Sequence, residues 1–357
     1  VAATGRYDCR VVRLVDIAKA AGVSVSLVSR VLNDDPAARA TEETRRRVRD
    51  TAAAMGYRPH HAARALKLAR TNTIALAVPV LTNAIFSELL RGVEDEAREL
   101  GYTLMFARSE SFDEQRQMSQ LVEEGRVDGF LLQRPDDETD ESLARRIGNA
   151  PVVLINSVLP GHPGSVMIDD HGAAALATEH LLSLGHRRIG LVNGFQTTET
   201  ARRRGAGFAQ TLAAAGLDPE LSPVTHFGYA PESAAAEHAV TEIFGDDRPK
   251  REQPTALVVA NVNAALAVLT CLRRHGLGVP DDVSVVAIHD AWTAEHSWPP
   301  VTTVRLPVYE QGQTSVRMLH DALRGIAAGD TIIEEPPPIL VERESVRPLR
   351  ARRTAPR

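Results

Sequence analysis

Residues 14–33, LVDIAKAAGVSVSLVSRVLN, constrain this chain more than any other stretch. Leu14, Ile17, Ala18 and Ala21 recur at helical spacing and give a first helix an apolar stripe. Gly22 stops it, because glycine tolerates positive φ just past a helix end. Ser24 is a favourable N-cap for a second helix. On that helix Val28, Val31 and Leu32 share one face and are expected to pack inward. At about 100° per residue, Ser26 and Arg30 lie opposite that face, and Val25 projects from the first turn. Two short helices around a Gly turn, the second with a small polar outer face, make a helix-turn-helix whose second helix fits the major groove. An outward Arg can bind O6 and N7 of guanine, and a Val methyl can touch a thymine methyl. Arg30 and Val25 are therefore candidate base readers rather than incidental surface.

Charge supports this. The chain has 357 residues and a net charge of -5. Residues 1–70 nevertheless hold 14 Lys/Arg against 7 Asp/Glu, and the remainder 27 against 39. A basic head on an acidic body suits a phosphate-binding module joined to a second domain. A third helix is expected after Thr41, where TEET offers a capping box with Thr44 in place of the usual acid. Val48, Thr51, Ala52 and Met55 continue the inward face, and Gly56 ends it. Arg45, Arg46, Arg47 and Arg49 are either phosphate contacts or a solvated face.

VDIAKAAGVSVSLVSRVLN, then TEETRRRV, MGYRP and AARAL, closely resemble the headpiece and hinge of the lactose-repressor (LacI/GalR) family. The resemblance implies that Ser24, Val25, Ser26, Ser29, Arg30, Asn33 and Tyr57 face DNA, with Tyr57-Arg58-Pro59 closing the headpiece. It makes residues 61–69 a hinge helix, too short to be stable alone and ordered when two hinges pair in the minor groove. Leu66 then matches the wedge that kinks the duplex, and Arg64 a groove contact. Two positions depart from the pattern. Leu27 stands where a backbone-contacting Thr is usual, and His60 where Asn is usual.

The body alternates strands and helices. Strands are expected at 73–79, 102–107, 127–133, 151–156, 165–169, 187–193, 255–260 and 283–288. Helices are expected at 84–101, 113–125, 141–147, 171–184, 200–215, 231–244 and 263–275. Such alternation implies parallel sheets with helices on both faces, and the length suits two doubly wound halves. LATEHLLSLGHRRIGLVNG, VPDDVSVVAIHD and PPVTTVRLPVYEQGQTSV resemble signatures of the same family's core, whose fold is shared with periplasmic sugar-binding proteins. The expected layout is an N-terminal tail (1–12), an all-α headpiece (13–59), a hinge (60–70), an α/β core (71–345) and a flexible tail (346–357). Within the core, one half takes about 71–164 and 306–333, and the other about 165–305 and 334–345.

The cleft between the halves is where an effector belongs. The resemblance implies Asn83, Phe86, Asn156, Arg204, Asn261 and His289 as its binding residues, and Trp292, which flanks them in sequence, is read either as a stacking partner for a ligand or as core or lid packing. Departures cluster here. Val262 stands beside Asn261 where Asp is usual, His289 replaces an Asp, and Asn156 stands where Asp is frequent. Leu306 replaces a common Gln, and Val308 replaces a position that can be aromatic. Lost carboxylates with a retained Arg204 weaken recognition of sugar diols and favour a phosphorylated sugar, a sugar acid or a less polar metabolite.

Other chemistry finds no footing. GAG in RRRGAGF falls within an expected helix rather than after a strand, so it is not a dinucleotide fingerprint. The sequence contains no GxSxG, no GxxxxGK[ST] and no Cys/His cluster with zinc spacing, and no nucleophile–base pair is apparent. No metal, cofactor or catalytic residue is expected. Cys9 and Cys271 are read as free thiols in a reducing compartment. The absence of an apolar leader and of any run of about 18 apolar residues points to a cytoplasmic, nucleoid-associated protein. The expected function is a homodimeric regulator of operator DNA under a small-molecule effector. A solute-binding protein, which needs a signal peptide and no basic head, and a sugar-processing α/β enzyme are the alternatives.

Overall fold

The computed structural model describes residues 12–33, 35, 38–57, 70–79, 84–112, 118–136, 138–162, 164–226, 233–245, 249–327 and 329–349. The chain divides into two compact units, Val1–Thr71 and Asn72–Arg357.

The first unit contains α1 (Leu14–Ala21), α2 (Val25–Leu32) and α3 (Glu42–Ala54). Gly22 takes φ 66 at the end of α1, as its place in the turn requires. The Ser24 hydroxyl accepts from Leu27 N at 3.2 Å and starts α2. Thr41 caps α3 by accepting from Thr44 N at 3.3 Å. Ile17, Ala18, Ala21, Val28, Val31, Val48 and Ala52 are buried together, with Leu27, Leu32, Met55 and Tyr57 packed around them. Leu27 thus covers the small core, where a polar residue at that position would have faced outward. Arg45 donates to the Ala38 carbonyl at 2.6 Å, which ties α3 to the segment before it.

The second unit begins with β1 (Thr73–Val78), α4 (Ile85–Glu99), β2 (Thr103–Arg108), α5 (Met118–Glu123), β3 (Gly129–Leu132), α6 (Asp140–Ile147), β4 (Val152–Ile155) and β5 (Ser165–Ile168). It continues with α7 (Asp170–Ser183), β6 (Ile189–Asn193), α8 (Glu199–Ala214), β7 (Val224–His226), α9 (Ser233–Phe244), β8 (Ala256–Val259), α10 (Val262–Arg274) and β9 (Ser284–Ile288). The last elements are α11 (Trp292–Glu295), β10 (Thr302–Arg305), α12 (Val308–Leu323), β11 (Thr331–Ile333) and β12 (Ile339–Val341). Two sheets result, ordered β11-β5-β4-β3-β1-β2 and β12-β10-β9-β8-β6-β7. Every pairing is parallel except β10 with β12. Strands β3, β4, β6, β8 and β9 are buried along their whole length, as helices on both faces demand.

The two halves are therefore doubly wound, with an antiparallel edge strand closing the second. Three differences from the sequence reading stand out. Ser165–Ile168 pairs with β4 and β11 in the first sheet, so the chain leaves that half after residue 168, not before 165. Strands β7, β10, β11 and β12 and helix α12 complete the sheets and were not read as elements. Residues up to 349 are docked rather than free: Leu349 N donates to the Leu184 carbonyl at 2.9 Å, and His186 Nε2 lies 3.1 Å from the Arg347 carbonyl.

Close crossings of helices set the walls of each half. A Cβ on Gly92 of α4 would fall 2.1 Å from the Tyr309 carbonyl oxygen of α12, and one on Gly312 would fall 2.5 Å from that of Leu89. Nothing larger than hydrogen fits at either place, so the N-terminal turns of α4 and α12 are held side by side.

Candidate functional site

On α2, Val25, Ser26 and Arg30 are exposed, with Val25 at 43%. The buried Val28 and Val31 occupy the opposite side. An apolar side chain left in water on the first turn of a capped helix, one turn from an outward Arg, has the form of a base-reading face. Ser24 and Asn33 already serve the helix. Ser24 caps its start, and Asn33 Nδ2 donates to the Ser29 carbonyl at 2.6 Å at its end. Ser29 is partly covered. Tyr57 packs against the core of this unit, and burial raises its phenol above the ordinary value. His60, Arg64 and Leu66 lie outside the described residues.

The second unit has a cavity at the carboxyl ends of its strands. Ile85, Phe86 and Leu89 of α4 and Val308 of α12 give it an apolar wall. Gln133 follows β3, Asn156 follows β4, Asn261 follows β8, His289 follows β9, and Thr200 and Arg204 come from α8. Ligands collect at such strand ends, where the strand order reverses. Here β1 lies between β3 and β2, and β6 between β8 and β7, so both reversals face one space. The cavity measures about 30 Å³, enough for about one or two waters. Its lining comes from both halves. A hydrogen bond from Thr197 Oγ1 to the Asp136 carbonyl, 3.1 Å, bridges them in this conformation.

Phe86, Asn156, Arg204, Asn261 and His289, named as effector candidates in the sequence, line this one cavity. Asn83 lies outside the described residues. Trp292 does not join them. It is 69% exposed on α11 and lines a separate surface groove with Asp290 and Arg305. The reason is local: three residues separate β9 from α11, whose first residue is Trp292, and the indole is carried away from the strand end.

Asn156 and His289 hold matching places in the two halves, each directly after the third strand of its sheet. Both take positive φ, 55° and 65°, the left-handed region that Asn and His enter more readily than most residues. Such backbone is stored at sites where side-chain direction matters. The next residue, Asp290, anchors the turn by accepting from Thr303 Oγ1 at 2.8 Å and Arg305 Nη2 at 2.6 Å, with Arg343 Nη2 2.8 Å away. Burial pushes its carboxyl up, but these donors hold it below the ordinary value.

Sequence reasoning missed Asp170. This residue opens α7, is 1% exposed, and receives Arg204 Nε at 2.7 Å and Nη2 at 2.6 Å on Oδ1. Burial raises the Asp170 carboxyl, and Arg204 pulls the other way. Arg204 Nη2 also lies 3.0 Å from His289 Nε2. Arginine has no lone pair to offer, so His289 Nε2 accepts and the ring carries its proton on Nδ1. Burial, then the Arg204 charge, hold this imidazole well below its ordinary value. Gln311 was missed too. Its Nε2 donates to Asn156 Oδ1 at 2.6 Å and to the Val166 carbonyl at 3.0 Å. No group of three His, Cys, Asp or Glu side chains suited to a metal occurs among the described residues.

Known proteins carry the same parts. Residues 13–60 match bacterial regulatory proteins of the lacI family, and residues 178–346 match the periplasmic binding protein-like domain. The chain is 32% identical over 342 residues to the HTH-type transcriptional regulator DegA of Bacillus subtilis, across 94% of this chain and 98% of that protein. A LacI family transcriptional regulator from Mycobacterium smegmatis superposes with a TM-score of 0.70 at 38% identity, over 77% of this chain and 99% of that one. The lac repressor dimer bound to operator and the anti-inducer ONPF gives 0.78 at 26% identity, over 95% and 100%.

Proposed function

The chain belongs to the LacI family of bacterial regulatory proteins, and from that premise we propose that it is a homodimeric, cytoplasmic repressor of a near-palindromic operator. The family gives it a DNA-binding helix-turn-helix and an effector-binding core. The observation that carries the finer reading is the outer face of α2, with Val25, Ser26 and Arg30 exposed on a folded three-helix unit. Two such heads in a two-fold dimer read two half-sites. The lac repressor dimer bound to operator is a precedent for this arrangement. Paired hinges place Leu66 in the minor groove and kink the centre of the site.

The effector sits in the core cleft against Phe86, Asn156, Arg204, Asn261 and His289. Because the cavity is lined from both halves, binding there acts on the opening between them. A ligand that favours one opening shifts operator affinity by its differential affinity for the two states. The role is non-enzymatic, in keeping with the regulators it resembles.

The test is duplex binding across a salt series. A regulator loses affinity linearly in log salt and keeps a preferred sequence. Arg30→Ala is expected to cost about 1–3 kcal/mol at one base pair and to relax preference there. Affinity that is undetectable even at low salt contradicts the reading.

A further inference from the structure

The charge inside the cleft is already balanced. Arg204 is a permanent cation, 3% exposed, and a carboxylate of this same chain, Asp170, holds it through both Nε and Nη2. Asp170 is the first residue of the 14-residue α7, where the partial positive charge of the helix end favours the ionised form. Buried ion pairs survive only when so matched, since an unpaired charge there is far costlier than the pair.

Among the described residues that line the cleft, what remains unspent is neutral, Gln133 Oε1 included; beside them Asp170 Oδ2 is also buried without a partner, an oxygen that repels an anion. His289 Nδ1 and Asn261 Nδ2 have no hydrogen-bond partner among the described residues, and both atoms are buried. With Nε2 accepting from Arg204, His289 Nδ1 is an N–H donor. Asn261 Oδ1 accepts from Ala264 N at 2.8 Å to cap α10, which fixes Nδ2 as its free end. Across the cleft, Gln311 spends Nε2 on Asn156 and Val166 and leaves Oε1, buried and without a partner among the described residues, as an acceptor. Buried donors and acceptors left open cost free energy that a complementary ligand recovers.

Resting on the effector-cleft reading above, we propose that the cleft selects an uncharged ligand. The ligand offers acceptors to His289 Nδ1–H and Asn261 Nδ2–H and a donor to Gln311 Oε1, with its apolar side on Phe86 and Val308. Asp170 is the residue that sets this selectivity. It cancels Arg204 and, by fixing the guanidinium, holds His289 in the tautomer that donates. Phosphorylated and carboxylated metabolites are excluded by the same pairing, because they would face a cation whose charge is already taken. Retention of Arg204 with loss of other carboxylates left a phosphorylated sugar, a sugar acid or a less polar metabolite open in the sequence, and the Asp170 pairing favours the last.

The experiment uses the full-length protein with nitrogen-15-labelled histidine, with the His289 resonance assigned by its loss in His289→Asn. Inorganic phosphate, titrated at constant ionic strength, is the anion probe, and the His289 ring signals are the local readout. At pH 7.5 the wild type is expected to show the Nδ1–H tautomer and no saturable response to phosphate. Asp170→Asn leaves Arg204 without its counter-charge, and phosphate should then become a saturable ligand at His289, at least about tenfold tighter than in wild type. A wild-type His289 that is charged, or protonated on Nε2, overturns the proposal. So does saturable phosphate binding at His289 in wild type, or a folded Asp170→Asn protein with no gain. If Asp170→Asn does not fold, the two wild-type readouts decide alone. None of these measurements involves DNA, so their failure leaves the regulator reading standing, and failure of operator binding leaves the charge balance standing.

Discussion

A buried arginine keeps its charge at any physiological pH, so its neighbours decide what a cleft can accept. Around Arg204 those neighbours are Asp170 and a neutral His289, which makes the site sensitive to acid. The folded state holds His289 below its ordinary value, so the unfolded chain binds the extra proton first. That contribution to stability is complete above the unfolded value near 6.5 and is lost as pH falls below it. His186 and His180, depressed chiefly by burial, act in the same direction. Asp170, raised by burial, acts in the opposite direction above its ordinary value of 3.8. His289→Asn keeps a residue suited to positive φ and removes the titration. Its urea midpoint should therefore fall less than that of wild type between pH 7.5 and 5.5, and equal slopes would show that His289 is not titrating as described. Arg204, Asn261, His289, Phe86 and Asn156 were named by resemblance to the family, and the structure sets each at a strand end or on the first turns of the helix that follows. Asp170 and Gln311 were not. Their partners lie 34 and 155 positions away, and no local pattern encodes a contact of that span.

Among elements, α12 shows what hides from a sequence and what it does once folded. Its buried face mixes Val308, Val316 and Leu319 with Gln311, Gly312 and Ser315, so the apolar stripe is broken by polar and small residues. The edge strands β7, β11 and β12 are three residues each, too short to show alternation. The long central strands and the headpiece helices were plain, because full burial and good caps leave a strong pattern. The Gly residues in α12 and α4 have a structural task, since they bring the N-terminal turns that carry Ile85, Phe86, Val308 and Gln311 to one wall. Gly312→Ala puts a methyl 2.5 Å from a backbone oxygen and 2.8 Å from a backbone nitrogen, neither of which can move away cheaply. It is expected to lower stability by about 1–3 kcal/mol or more. Chemical denaturation checks this, and an unchanged midpoint would mean that the two helices can slide apart.

At the scale of the whole molecule, the chain passes between its halves after β5, after β10 and after β11, so both halves are linked by three strands of backbone. On the proposed function, a ligand in the cleft would act on that opening and residues 61–69 would carry the change to the heads. Leu66→Ala is expected to lower operator affinity while leaving the thermal midpoint of the core unchanged. Unchanged affinity with an equally kinked duplex would remove the wedge from the account. The most direct measurement of the central claim is selection of bound duplexes from a random library by the purified full-length protein, repeated with a panel of charged and uncharged metabolites. The account predicts a single palindromic site whose recovery changes with an uncharged member of the panel. Failure to enrich any site, with or without metabolites, would contradict it.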